Sequence, residues 1–550
     1  MDGEKEPMLS ERRWFYWAWL TLICGFAMLH ALHLRADFPN HSPWYSDWAK
    51  YTDEGWYGNA AIRAHLSGNW YLPGDFNPAP AVPVWPFLEW VLFFFTGVTI
   101  EAARGGAVVF FFVNLLLSYT LLKTRGPRWM ALLALTMLVT SPFLYCFSRL
   151  AILEPLLTAL TLGALNLGVR LPGFRRPVWV SVGIGLLFTL MMLTKTTAAF
   201  LLPALAWAMI LPLWEKRKLA ARCLAAAGGA FVVSYGVWMA AVVRAGLLAD
   251  YEYLFFINRY VRPKEFYWPL ISLWWSFHGG LWVDRILFPL AGLVVVGAAL
   301  AWRSERGRKL LLDPVFGASV LCVVGYILFM TYQDNPQPRY FAVVTVFCFF
   351  IVAQGARALF GAADSEVESQ RRVRQIGRVA ENWQGWAFIW LVTLAVGMNG
   401  AWTLNFAVHP EYTFVDAAER ITRYIDQHPN GNRLLLSVSG DDITLITHLP
   451  SINDLFVAPT PAMTDLAGKL GYYRPGWYAA WNNLDKGAIE DLHTHYSVEQ
   501  VGSFRAFDNP DRDVLVLFKL HPLSGGRVYD PADQNLQIRF PEDKFDVPLQ

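Results

Sequence analysis

Arg12-Arg13-Trp-Phe-Tyr-Trp-Ala-Trp-Leu-Thr-Leu-Ile-Cys-Gly-Phe-Ala-Met-Leu-His30 sets two cations against one end of an apolar run near residues 14–34. Beyond its other end stands Tyr51-Thr-Asp-Glu-Gly-Trp-Tyr57, with two adjacent acids. The pattern repeats along the chain. A hydrocarbon core of about 30 Å needs roughly 20 apolar residues per helix, and apolar windows recur near 104–122, 129–147, 150–169, 178–193, 197–214, 220–244, 286–302, 311–332, 340–359 and 384–405. Six basic clusters alternate with them: Arg12-Arg13, Lys123/Arg125/Arg128, Arg170/Arg175/Arg176, Lys216-Arg217-Lys218, Arg303/Arg306/Arg308/Lys309 and Arg371/Arg372/Arg374/Arg378. Placing all six in the cytoplasm satisfies the positive-inside rule. The N-terminus is then cytoplasmic, and about eleven spans carry the C-terminus to the outer face.

Composition agrees. Of the 550 residues 55% are hydrophobic and 16% charged, where a soluble domain carries about a quarter charged. No basic stripe interleaved with aromatics lies on a soluble face, which excludes a nucleic-acid binder. The cysteines, Cys24, Cys146, Cys223, Cys322 and Cys348, sit in or beside apolar runs without paired spacing and read as small buried hydrophobes. No small-residue cleavage site follows the first run, so it reads as a retained anchor.

The expected organisation is a helical membrane domain over residues 1–405, with outer loops at 35–103 and 246–285, and an outer α/β domain over 406–550. Within the first loop, Gly55–Leu66 and Val82–Phe95 read as helices lying in the interface. In the tail, Arg433–Val438 and Asp513–Leu520 read as strands and Thr413–Gln427 as an amphipathic helix. His493-Thr-His495 has the spacing of two rings on one strand face, but two ligands do not make a zinc site.

On the expected outer face, at or near span ends, stand Asp53, Glu54, Arg149, Glu154, Lys195 and Arg339, with Arg259, Arg262 and Lys264 in an aromatic loop. Charges beside hydrocarbon are expensive and by default mark a functional site or pair with one another. A carboxylate can take a proton from an acceptor, and cations stabilise an anionic leaving group as its bond breaks. Transfer of a sugar from a lipid phosphate needs both. Asp53 or its neighbour Glu54 is the candidate base, with Glu154 beside the acceptor. Lys195, Arg339 and the Arg259/Arg262/Lys264 group are candidate phosphate clamps. The bland alternatives are a helix cap for Asp53, a local pair with Arg149 for Glu154, and snorkelling for the cations. A divalent cation held by Asp53 and Glu154 is compatible with the sequence but not required by it.

The same residues resemble a family. Asp53-Glu54 after the first span, with Tyr57 and Gly68-Asn-Trp70, is similar to the first-loop signature of the C-type, family 39-like membrane glycosyltransferases. These include protein O-mannosyltransferases and lipid A aminoarabinose transferases. The Pro-rich Pro78–Pro86 segment precedes a second interfacial helix, as in that family. Ser148-Arg-Leu-Ala-Ile-Leu-Glu-Pro155 resembles its Arg-x-x-x-x-Asp-Pro turn, with Glu154 for Asp. Thr194-Lys195 resembles the Thr-Lys-Gly-Pro turn, with Thr196-Thr197 for Gly-Pro, and Pro338-Arg-Tyr340 its late Arg-Tyr helix start. The resemblance spans residues 14 to 405. It implies an inverting glycosyltransferase that moves a sugar from a polyprenyl-phosphate donor to a lipid, glycan or protein acceptor. The Arg-rich inner loops and the short N-terminus point to a bacterial inner membrane, with a eukaryotic ER membrane as the alternative. The rival from another class is a transporter or flippase for a lipid-linked or anionic substrate. That rival predicts paired half-sequences and charges at mid-bilayer; no repeat is visible and the acids cluster at the outer ends.

Overall fold

A computed structural model of the chain describes residues 6–257, 270, 284–330, 337–360, 383–454, 465–482, 492–493, 496–507 and 512–523. Helix α1 (Glu6–Leu29) leads into the first loop, which carries α2 (Asp53–Ser67) and α3 (Val84–Thr96). The membrane domain continues with α4 (Ile100–Lys123), α5 (Arg128–Thr140), α6 (Pro142–Ser148), α7 (Leu153–Val169), α8 (Pro177–Thr194), α9 (Leu202–Ile210) and α10 (Arg217–Arg244). After the short α11 (Leu248–Glu252) come α12 (Leu287–Leu300), α13 (Glu305–Leu311), α14 (Pro314–Met330), α15 (Phe341–Phe360) and α16 (Trp383–Val408).

Among the described residues, five helical runs are long and apolar enough to cross a bilayer, or seven if each of two bent pairs is one span, against the eleven expected. One run, Thr196–Arg244, covers two of the expected spans, while Trp14–Leu29, Leu153–Val169 and Leu287–Leu300 are apolar but shorter. The bends have a common cause. Ser141-Pro142 and Asp313-Pro314 sit at the breaks, of 67° and 62°, and a residue before proline is driven out of the helical region. Each such residue then caps the next helix: Ser141 Oγ accepts from the Leu144 amide at 3.2 Å, and Asp313 Oδ1 from Val315 at 2.9 Å.

The bundle core is built from side chains such as Phe143, Phe147, Phe316 and Tyr326, all buried. All five cysteines are free; four are buried and Cys24 alone is exposed. A second apolar cluster, with Trp56, Phe76, Trp85 and Phe93, joins α2 and α3 to α4, α7 and α10.

The tail folds as α17 (Thr413–Gln427), β1 (Leu435–Leu436), α18 (Gly440–Thr447), β2 (Ser451–Ile452), α19 (Leu466–Tyr473), β3 (Trp477–Trp481), β4 (Tyr496–Arg505) and β5 (Val514–Pro522). The sheet order is β2-β1-β3-β5-β4. β1 pairs parallel with β2 and β3, and β5 pairs antiparallel with β3 and β4. Its first expected strand is shorter than Arg433–Val438. His493 lies in a helical turn ahead of β4, so the alternate spacing read for a strand does not apply, and His495 lies outside the described residues. One sheet face packs against α17 and α18 with Tyr51 of the first loop among its core residues, and the other packs against α19.

Candidate active site

Asp53 opens α2, and the first turn of that helix holds both Asp53 and Glu54. Successive helical residues diverge by about 100°, so the two acids meet different neighbours. Asp53 Oδ2 lies 2.7 Å from Arg339 Nη2, and the Thr52 hydroxyl donates to Asp53 Oδ1 at 2.8 Å. Glu54 is gripped from two sides by Arg104 of α4, at 2.8 and 2.6 Å, and accepts from the Ala151 amide at 2.7 Å. Arg104 also donates to the carbonyls of Leu34 and Ala36. Glu54 thus ties the first loop to α4 and to the turn before α7.

Arg339 stands in the turn Pro338–Tyr340 that opens α15. Its Nη1 donates to Asp47 Oδ1 at 2.6 Å and its backbone amide to Asp47 Oδ2 at 2.7 Å. Asp47 belongs to the first loop and also accepts from the Ala49 amide at 2.9 Å. A second pair lies alongside: Glu154, in the first turn of α7, accepts from Lys195, the residue that ends α8. Tyr340 joins the two pairs. Its ring centre is 4.8 Å from the Lys195 ammonium and 5.2 Å from the Arg339 guanidinium, within reach of cation–π attraction.

Four of the sequence-derived candidates, Asp53, Glu154, Lys195 and Arg339, therefore form one buried cluster. Glu54 sits beside it with both oxygens engaged. Arg149 is elsewhere: it donates to Tyr145 and to the carbonyls of Leu32 and His33, so the local pair with Glu154 does not form. Arg259, Arg262 and Lys264 lie outside the described residues. Asp47, Tyr340 and Arg104 were not singled out as site residues. Asp47 and Arg104 meet partners from distant segments, and the signal for them was that each buried charge needs an opposite one, whereas Tyr340 stood in the Pro338-Arg-Tyr340 motif.

Burial pushes the Asp53 carboxyl above the usual carboxylate range, with Arg339 opposing. The neighbouring Tyr57 phenol is raised by burial and then by the Asp53 charge. The cluster retains unspent capacity. Among the described residues, Arg339 Nε and Glu154 Oε2 are buried without a hydrogen-bond partner. The cluster can therefore accept further anionic and hydroxyl groups without giving up its internal pairs. As a metal site it does not fit: Asp53 and Glu154 each face a cation, and among the described residues no group of three or more acid, histidine or cysteine ligands converges.

A family model described as dolichyl-phosphate-mannose-protein mannosyltransferase matches residues 78–239. ArnT from Cupriavidus metallidurans bound to undecaprenyl phosphate superposes with a TM-score of 0.57 at 14% identity, over 91% of this chain and 98% of that one. The fold is the one this ArnT structure shows. AglB, the oligosaccharyltransferase of Archaeoglobus fulgidus in complex with an inhibitory peptide and a dolichol-phosphate, superposes with a TM-score of 0.51 at 12% identity, over 92% of this chain and 74% of that one. No curated protein matches significantly by sequence. The chain is an integral membrane protein, mostly helical, with a small C-terminal sheet.

Proposed function

We propose that the chain transfers a sugar, with inversion, from a polyprenyl-phosphate donor to an acceptor on the outer side of the membrane. The observation that carries this is the buried Asp53–Arg339 and Glu154–Lys195 pair of ion pairs joined by Tyr340. In this reading the acceptor's hydroxyl or amine attacks the anomeric carbon, and its proton passes to Asp53 Oδ. The bond from that carbon to the phosphate oxygen breaks, and its electron pair leaves with polyprenyl phosphate. A single displacement inverts the anomeric centre. Arg339 Nε and the spare N–H groups of Lys195 are the donors that meet charge developing on the leaving phosphate. Glu154 pairs with Lys195 and aims it, and its second oxygen can orient the acceptor. Glu54 is assigned a positioning role, because Arg104 and Ala151 already use both of its oxygens.

The lipid carrier is supported by the polyprenyl phosphates named in the ArnT and AglB structures. The orientation proposed is the one the basic clusters imply, with the N-terminus cytoplasmic and the tail outside, in a bacterial inner membrane. The test is sugar release from a panel of synthetic short-chain polyprenyl-phosphate sugars, with acceptors supplied, by wild type beside Asp53→Asn. Turnover that yields polyprenyl phosphate and collapses in the variant supports the proposal. Absence of turnover across the panel favours the transporter reading.

A further inference from the structure

The helix that begins with Asp53 lacks a cap of its own. Thr52, at the N-cap position of α2, makes no side-chain capping bond; its hydroxyl is turned instead to donate to the Trp48 carbonyl and to Asp53. The first amides of a helix have no intrahelical partner and must find one. Here the partner comes from the tail: the Gly55 amide, in the first turn of α2, donates to Asp442 Oδ1 of α18. The approach is so close that a Cβ on Gly55 would clash with the Asp441 backbone carbonyl, which explains the glycine.

The arrangement is reciprocal. The tail helix α17 also lacks a capping side chain at its N-cap, Tyr412, and its Phe414 amide donates at 2.7 Å to Asp37 of the first loop. A buried charge network ties α2 to α18 and α19 of the tail. Arg63 of α2 pairs with Asp75 of the first loop and, at 3.1 Å, with Asp441, while Lys469 of α19 donates to Asp75. Each domain thus supplies to the other the acceptor its helix start lacks.

We propose that Asp442 is a positioning residue, through which the tail caps α2 and holds Asp53 in register with Arg339. The proposal rests on the reading of Asp53 as the base. It gives the tail a part in the chemistry that runs through the Gly55 amide of α2. A shift of about 1 Å in a reacting group costs about a hundredfold in rate, so a cap that sets the helix start acts on kcat more than on donor binding.

The experiment compares full-length wild type, Asp442→Ala and Asp442→Asn in lipid nanodiscs, by hydrogen–deuterium exchange over residues 51–63 and by turnover across the same panel of short-chain polyprenyl-phosphate sugars, with acceptors supplied. Asparagine keeps an acceptor oxygen for the Gly55 amide and controls for folding. The expected result is first-turn exchange about fivefold faster or more in Asp442→Ala. Its kcat is expected to fall by about a hundredfold at near-constant KM, with most of both effects recovered in Asp442→Asn. Unchanged exchange in Asp442→Ala overturns the cap. Faster exchange with unaltered kcat, while Asp53→Asn is inactive, overturns the positioning role. An inactive wild type removes the base, and the positioning with it, while exchange still decides whether the tail caps α2.

Discussion

Two of the buried charge networks that touch α2 are built differently. At its start, Asp47, Asp53 and Glu154 face Arg339 and Lys195: three carboxylates against two cations, all from the membrane domain and its first loop. Further along, Asp75 and Asp441 face Arg63 and Lys469, two against two, and these join the first loop to the tail. Burying ions costs several kcal/mol each unless they are paired. The balanced network meets that cost within itself and works as a fastener. The other holds an excess carboxylate, whose proton affinity is raised by burial, and it keeps a guanidinium Nε unspent. Imbalance of this kind separates a site from a brace.

The largest test of that contrast is Asp53→Asn. It should lower kcat by about a thousandfold, within the range for loss of a general base, with little change in the thermal midpoint. Equal losses of activity and stability would make Asp53 part of the brace. Next comes Arg339→Gln, which should cost about a hundredfold in kcat and also destabilise by about 3–5 kcal/mol, because Asp47 and Asp53 are left facing each other; denaturant melts beside kinetics read both. In the fastener, Lys469→Met should cost a similar 3–5 kcal/mol, yet leave the KM of the folded enzyme for its donor unchanged. A large KM effect there would move the fastener into the binding site.

The smallest effect lies in the pH profile. A base must be ionised, and burial raises the Asp53 pKa. The acid limb of kcat/KM should therefore fall as pH drops through a midpoint above the ordinary carboxylate range. Since Arg339 opposes the shift, Arg339→Gln should move that midpoint upward. An acid limb at the ordinary carboxylate position would assign the titration to an exposed acid.

Much of this site is legible in one dimension. Asp53, Glu154, Lys195 and Arg339 stand out because each is a charge at the end of an apolar run, and the helix Thr413–Gln427 is visible in its amphipathic spacing. The central strand β3 is not. Trp-Tyr-Ala-Ala-Trp is buried on both faces, so it lacks the alternation that marks a half-exposed strand. Nor does the sequence separate Asp53 from Glu54, because the difference lies in Arg104, fifty positions away along the chain.

By itself the sequence determined the membrane class, the positions of the apolar helices and the charged residues at their ends, because hydropathy and charge are local properties of the chain. Only the tertiary structure decided which acid met which cation, that Tyr340 lies between the two pairs, and that the tail caps α2. Those outcomes depend on how helix ends far apart in sequence are brought together, and a buried charge takes whichever partner the packing delivers.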